Sequence, residues 1–291
     1  MSWRTVIVKN RCKLSYKNDY MLITSDGNEK TLHISEIGTL IIENTAVNLT
    51  AYLLCELSRY KVKMIFCDHQ RNPYGEIIPY YGSHNASKQM SKQSQWSQST
   101  KNNLWKTIVT QKIIKQAQTI YRETGNSSAC ETLMNFAANV SPGDLTNREA
   151  HAAKLYFKEL FGPKFSRDSS NDINAALNYG YAILLSAFNR EITAAGYSTT
   201  IGVNHCNEYN PFNLTCDLME SFRPIVDSEV YKCRNFAFDD FFKSRLIEIL
   251  NHKVVILGKE QFLSNAISIY VKLFFRTMET GDDELPEYEL I

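Results

Sequence analysis

Two regimes of hydrophobic patterning divide the chain. Up to about residue 70, apolar residues run together or alternate with polar ones, the period-two signature of strands. RTVIVKN, YMLITSDG and GTLIIEN are such segments. KND at 17–19 and SDGNEK at 25–30 carry turn chemistry and predict hairpins. Within this region VNLTAYLLCELSRY (47–60) spaces its apolar residues helically, and KVKMIFCD returns to strand. The expectation is a small sheet domain with one helix over residues 1–78.

From residue 100 the period changes to three and four. LWKTIVTQKIIKQAQTIY, NREAHAAKLYFKELFG, DINAALNYGYAILLSAFNREITAAG, DDFFKSRLIEIL and KEQFLSNAISIYVKLFFRTME all read as helices. Asn147 is the candidate N-cap of the second, which ends at Gly162. Residues 100–279 are therefore expected to form an all-helical domain. Between the regimes, 79–99 is polar and rich in Ser and Gln, a linker with a short helix starting near Ala86, capped by Ser83 or Asn85. Residues 280–291 carry five acids and no base and predict a disordered tail. The fold class is α+β with two domains, a small N-terminal β-sheet domain followed by a larger helical one.

Composition adds three points. Seven scattered cysteines without a CxxC pair argue against a disulfide framework or zinc ribbon and fit the reducing cytoplasm. The opening MSWRTVIVKN has no apolar signal core, and no apolar run is long enough to cross a membrane. The net charge of +1 hides a local excess: residues 71–120 hold seven Lys or Arg (71, 88, 92, 101, 106, 112, 115) against one acid, Glu76. Such a segment is either a solvated helix face or the footprint of a polyanion.

The candidate chemistry lies in HCNEYNPFNLTCDLMESFRPIVD, residues 205–227. Asn210-Pro211 reads as a helix start. Leu214, Leu218 and Phe222 then recur every four residues as a buried stripe, with Asp217 and Glu220 beside it, three apart and on one face. His205 precedes the helix in a Gly-containing loop. The acids are either a solvated face or half of a metal site. A second half could come from Glu149, in the first turn of the NREAHAAKLYF helix, whose alanines allow close approach; the bland reading is an acid favoured by the helix dipole. Glu149, His205 and Glu220 or Asp217 would be a mixed carboxylate–imidazole donor set suited to Mn²⁺ or to Mg²⁺. Such a site suits phosphodiester chemistry, with the attacking oxygen from water or a DNA 3′ end. Arg223, one turn beyond Glu220, could hold a phosphate or pair with a nearby acid.

The ordered set NREAHAAKLYF, DINAALNYGYAIL and IGVNHCNEYNPFNLTCDLMESFRPIVD, with CKLSYKNDYMLI and IIENTAVNLTAYLLCELSRYKVKMIFCD before it, resembles the CRISPR-associated integrase and endonuclease, the universal subunit of the spacer-acquisition complex, in its type II variety. The resemblance implies metal ligands Glu149, His205 and Glu220, with Asp217 as a supporting acid able to exchange roles with Glu220. It implies a homodimer formed through the β domains. It further implies a heterohexamer with a small ferredoxin-like CRISPR-associated partner, and contact with other type II CRISPR proteins. The substrate implied is a short prespacer duplex with 3′ overhangs, joined by transesterification to the leader-proximal repeat. Ser221 stands where the family has proline, and Ala150 where it has glycine after Arg-Glu. Lys88, Lys92, Arg148 and Arg223 are the candidate DNA contacts. Two other readings stay open: a stand-alone nuclease of branched or single-stranded DNA, and a non-catalytic DNA-binding scaffold on which Trp96 or Tyr81 stacks on bases. Packing of Trp96 and Trp105 in a core is the simpler account of those rings.

Overall fold

The computed structural model describes residues 4–77, 85–281 and 285–290. The chain divides into two compact units, residues 1–82 and 83–291. In the first unit the strands are β1 (Arg4–Val8), β2 (Lys13–Lys17), β3 (Tyr20–Ser25), β4 (Asn28–His33), β5 (Ile37–Ile42) and β6 (Asn48–Leu49). Helix α1 (Ala51–Arg59), β7 (Lys63–Cys67) and β8 (Pro73–Ile77) follow. They make two four-stranded sheets, ordered β1-β5-β7-β8 and β4-β3-β2-β6. The predicted hairpins are present. Asn18-Asp19 and Asp26-Gly27 all take positive φ, the two-residue turn whose twist matches the strands it joins. Thr50 caps α1 by accepting from the Leu53 amide. Leu14, Met21, Ile34, Ile37, Leu40, Leu53, Leu57 and Met64 are fully buried and fill the core of this unit.

The second unit is built on α3 (Gln98–Thr124), a 27-residue helix that follows α2 (Ala86–Ser94). Helices α4 (Ser127–Ala138), α5 (Arg148–Phe161), α7 (Asn213–Met219) and α8 (Arg223–Cys233) pack on α3, and α6 (Asp172–Ala194) packs with α9 (Asp240–Glu248) and α10 (Leu263–Thr280). A 3-10 turn over Glu220–Phe222 joins α7 to α8. Leu214, Leu218 and Phe222 are fully buried, as their spacing predicts. Asn210-Pro211 precedes the helix rather than opening it: Asn210 accepts from the Phe212 amide, and α7 begins at Asn213. Asn85 occupies the N-cap position of α2, and Ser83 lies outside the described residues.

Two expectations are corrected here. This unit is not all helix: β9 (Lys253–Ile256), β10 (Lys259–Phe262) and β11 (Tyr288–Leu290) form a three-stranded antiparallel sheet, so KEQF is a strand and its helix starts at Leu263. The acidic tail is not disordered where it is described, because β11 pairs with β9 and Tyr288 is 2% exposed. The Tyr288 ring stacks on Phe222 at 4.6 Å, and its hydroxyl donates to the Ser221 carbonyl at 2.9 Å. Acidic composition suggests solvation, but one buried aromatic and a strand edge outweigh it.

Candidate active site

Four pieces of chain meet on one side of α3. The first is the start of α5. Asp144 caps it, its carboxylate accepting from the amides of Arg148 (2.8 Å) and Glu149 (2.9 Å). Asn147, the cap expected from the sequence, holds a left-handed φ of 52° and makes no capping hydrogen bond. From the first turn that follows, Glu149 reaches Lys112 of α3.

The second piece is the loop 195–212, which carries His205. Gln93, in the segment expected to be linker, is 1% exposed and brackets this loop. Its side chain donates to the carbonyls of Ser198 and Ile201 and accepts from the Ser198 amide, each at 2.8 Å. Gly202 lies under His205, where a Cβ would come 2.4 Å from the His205 carbonyl and 2.7 Å from Asp217 Oδ2. No side chain fits there.

The third piece is α7, from which Asp217 holds the loop. Asp217 is fully buried and accepts from the amides of Val203 (2.6 Å), Asn204 (3.0 Å) and His205 (3.0 Å). It also receives His205 Nδ1 at 2.5 Å. Both of its oxygens are occupied, so Asp217 orients the imidazole and leaves Nε2 as the ring's free donor atom, the arrangement usual behind a metal-ligating histidine. This separates Asp217 from Glu220. The hydrogen bond to Asp217 raises the His205 pKa above its ordinary value against the opposing effect of burial, and the Glu220 and Glu149 carboxylates add to the rise. The Trp105 ring meets His205 edge-on at 5.7 Å.

The fourth piece is the 3-10 turn that carries Glu220. Lys112 of α3 places its ammonium 2.6 Å from Glu149 Oε1 and 2.6 Å from Glu220 Oε2. Arg223 Nε lies 3.0 Å from Glu220 Oε1, with its guanidinium 4.6 Å from the centre of the Tyr181 ring. Side-chain exposure falls from 25% at Glu149 to 10% at Lys112 and 5% at Glu220. Burial by itself would lower the Lys112 pKa, but Glu220 and then Glu149 outweigh it and hold the group charged. Burial likewise pushes Glu220 up, and Arg223 and Lys112 together pull it below its ordinary value.

As the side chains stand, no three His, Cys, Asp or Glu among the described residues converge into a ready metal cluster. The chemistry of the site nevertheless fits a cation. Two carboxylates from separate helical elements already share one positive group. The Lys112 contact does not give Glu220 Oε2 hydrogen-bond geometry, so this buried oxygen keeps unused acceptor capacity. The donor set of two carboxylates and an oriented imidazole is that of a hard to borderline divalent metal.

The structure therefore brings Glu149, His205, Asp217 and Glu220 together and separates the expected DNA contacts. Arg223 is engaged by Glu220. Arg148 lies with its guanidinium 5.8 Å from the centre of the Phe136 ring. Lys92 pairs with Glu279 at 2.7 Å, and Lys88 is exposed on the same helix. The basic run 71–120 is not one surface, because Lys112 and Lys115 are interior at 8% and 5% exposure. Trp96 packs against Tyr197, Phe274 and Phe275, and Tyr81 lies outside the described residues. Lys112, Gln93, Asp144 and Gly202 are the site residues that sequence reading missed. For Lys112 a signal existed: it lies four residues from each of Ile108 and Gln116, in the buried stripe of α3. Beside His205 opens a groove of about 640 Å³ lined by Lys101, Cys206, Asn207, Tyr209 and Asn213.

A half-buried carboxylate–histidine cluster on a helical unit that follows a β unit defines a class, and comparison places the chain in it. The sequence profile of the family described as CRISPR associated protein Cas1 matches residues 5–244. The chain belongs to this family. Over 230 residues it is 41% identical to the CRISPR-associated endonuclease Cas1 of Neisseria meningitidis serogroup C, covering 79% of this chain and 75% of that protein. Its fold is shared with a casposase bound to integration product, at a TM-score of 0.75 and 18% identity over 97% of this chain and 92% of that one. A chain of a Cas6-RT-Cas1–Cas2 complex matches with a TM-score of 0.75 and 16% identity, covering 97% of this chain and 35% of that chain. Among the described residues no helix is long and apolar enough to cross a membrane.

Proposed function

We propose that this chain is the strand-joining and strand-cutting subunit of CRISPR adaptation, working with Mg²⁺ or Mn²⁺ held by Glu149, His205 and Glu220. The observation that carries this reading is the Lys112 ammonium shared by Glu149 and Glu220 beside an imidazole oriented by Asp217. A relative named as an endonuclease and a structural neighbour caught on an integration product support it. When bound, the divalent ion supplies charge neutralisation at the phosphodiester and acidifies the attacking hydroxyl.

The residues have separate tasks. Asp217 fixes the His205 tautomer, with the proton on Nδ1 and Nε2 free. Arg223 anchors one oxygen of Glu220, so the other faces Lys112. Gly202 and Gln93 hold the His205 loop against α7. The reaction is an in-line displacement at phosphorus. A new P–O bond forms to the 3′ oxygen of a short duplex, or to water, while the target strand's P–O3′ bond breaks and its oxygen takes up a proton. Most of the rate then comes from positioning and charge neutralisation. The groove beside His205 is the approach we assign to the DNA end. A homodimer, a small ferredoxin-like partner in a heterohexamer and a type II setting belong to the same proposal. A neighbouring Cas1–Cas2 complex supports the Cas partner.

The test is strand transfer. The protein, with and without its small CRISPR partner, is incubated in Mg²⁺ or Mn²⁺ with labelled 3′-overhang duplex and a supercoiled plasmid carrying a leader and repeat. Label joined to plasmid by the wild type and lost in Glu149→Ala is the expected result. Metal-dependent cutting without joining would replace the integrase with a nuclease. DNA binding with neither activity would leave a scaffold, and its first revertants would be Ser221→Pro and Ala150→Gly.

A further inference from the structure

Lys112 has no part in the reaction as just described, yet it occupies the space that reaction needs. Its ammonium touches one oxygen of each proposed carboxylate ligand at 2.6 Å, and its side chain is 10% exposed. A divalent ion held by Glu149 and Glu220 would compete with the ammonium for these same carboxylates. Two cations cannot share that gap, so an entering ion drives the ammonium from at least one carboxylate. Arg223 already holds Glu220 Oε1, and Glu220 is 95% covered, so that acid cannot turn outward to relieve the crowding. A displaced ammonium in a largely buried position needs a new anion, because an unpaired buried charge is costly. The only anion the proposed reaction brings to this spot is a DNA phosphate.

We infer that Lys112 couples metal entry to DNA binding. Before the metal arrives, its ammonium holds Glu149 and Glu220 together. When the metal takes those carboxylates, the ammonium turns to a non-bridging phosphate oxygen of the bound strand. Linkage then requires that DNA tighten metal binding through Lys112 and that metal tighten DNA binding by the same factor. This inference rests on the divalent-metal, DNA-joining reading of the site. It adds a residue which that reading leaves idle.

The experiment is calorimetric titration of Mn²⁺ into the full-length protein, alone and with a duplex whose 3′ overhangs end in dideoxynucleotides, so that no joining occurs. Wild type is compared with Lys112→Met and Lys112→Arg. DNA raises wild-type Mn²⁺ affinity by a coupling factor that exceeds the factor in Lys112→Met roughly tenfold. Without DNA, Lys112→Met binds Mn²⁺ more tightly than wild type, since its competitor is gone. Lys112→Arg keeps most of the coupling. Equal coupling factors in wild type and Lys112→Met would overturn the inference and leave the metal reading standing. Weaker Mn²⁺ binding by Lys112→Met without DNA would also overturn it, by making the lysine a support of the loaded site. A wild type that binds no Mn²⁺ in either state would sink the metal reading itself. Thermal melting confirms folding of each variant, and Lys112→Gln carries the comparison if Lys112→Met does not fold.

Discussion

Each unit of this protein buries a lysine against glutamate, and the two arrangements differ in a way that separates structure from chemistry. In the N-terminal unit Lys63 on β7 pairs with Glu76 on β8, and their side chains are 4% and 11% exposed. The two strands pair antiparallel with Glu76 opposite Ile65, two residues from Lys63, so the sheet's own ladder brings this pair together. In the helical unit Lys112 reaches two acids on two separate elements. One of them, Glu149, is 25% exposed, and His205 beside it is 38% exposed. Burial of an ion pair is therefore not a mark of function. The mark is one cation divided between carboxylates from separate elements, with an open side and an oriented imidazole at its edge.

Removing each lysine in turn tests this contrast with the largest expected effect. Lys63→Met removes one side of a buried ion pair and should cost about 3–5 kcal/mol. Lys112→Met should cost only about 1–2 kcal/mol, because Glu149 can turn to water and Glu220 keeps Arg223. Urea unfolding of both variants reads the difference, and equal losses would make the Lys112 cluster merely structural.

A somewhat smaller effect concerns Asp227, which is buried behind the cluster and receives the Tyr181 hydroxyl. Burial lifts its carboxyl from the ordinary 3.8 to about 6, although hydrogen bonds and the Arg223 and Lys112 charges pull the other way. The folded state thus favours the protonated acid. That contribution is complete below pH 3.8 and is lost as pH rises through about 6. Stability of the helical unit should fall by about 2–3 kcal/mol across this window. Asp227→Asn should remove that slope in pH-resolved thermal melts. An unchanged slope would place the titration elsewhere.

At Gly202→Ala a stability loss of about 1–3 kcal/mol is expected, since the loop must move to admit one methyl. Its effect on chemistry should be larger in proportion. The added Cβ presses on the His205 carbonyl and on Asp217 Oδ2, so metal-dependent strand joining should drop by about 10–100-fold. Full activity in this variant would show that the Asp217 bracket does not set the imidazole's position.

Much of this was legible beforehand, for reasons particular to each element. The hairpins of the first unit are local: a turn dipeptide with positive φ and two alternating strands lie within a dozen residues of each other. The Leu214, Leu218 and Phe222 stripe is equally local. The candidate acids and histidine could be gathered because the resemblance extended across several motifs. What failed were contacts between residues far apart in sequence. Gln93 looked like linker, yet its amide meets the 198–201 loop more than 100 positions later. Asn147 looked like the cap, but Asp144 reaches the same amides through a left-handed turn that no periodicity reports.

Amphipathic period and turn chemistry were enough to assign strands before helices, because those signals depend only on neighbours along the chain; Glu149, His205, Asp217 and Glu220 were marked by the resemblance of several motifs taken together. Which acid orients the imidazole and which faces Lys112 was decided by packing. Asp217 and Glu220 are three residues apart, but one closes on loop amides and the other on α3. The role of Lys112 was decided there as well, since a lysine in an apolar stripe gains its meaning from the two carboxylates that distant helices bring within 2.6 Å of it. The fate of the tail was settled the same way. Five acids favour water, but the pocket that takes Tyr288 exists only once Phe222, Ser221 and β9 have come together.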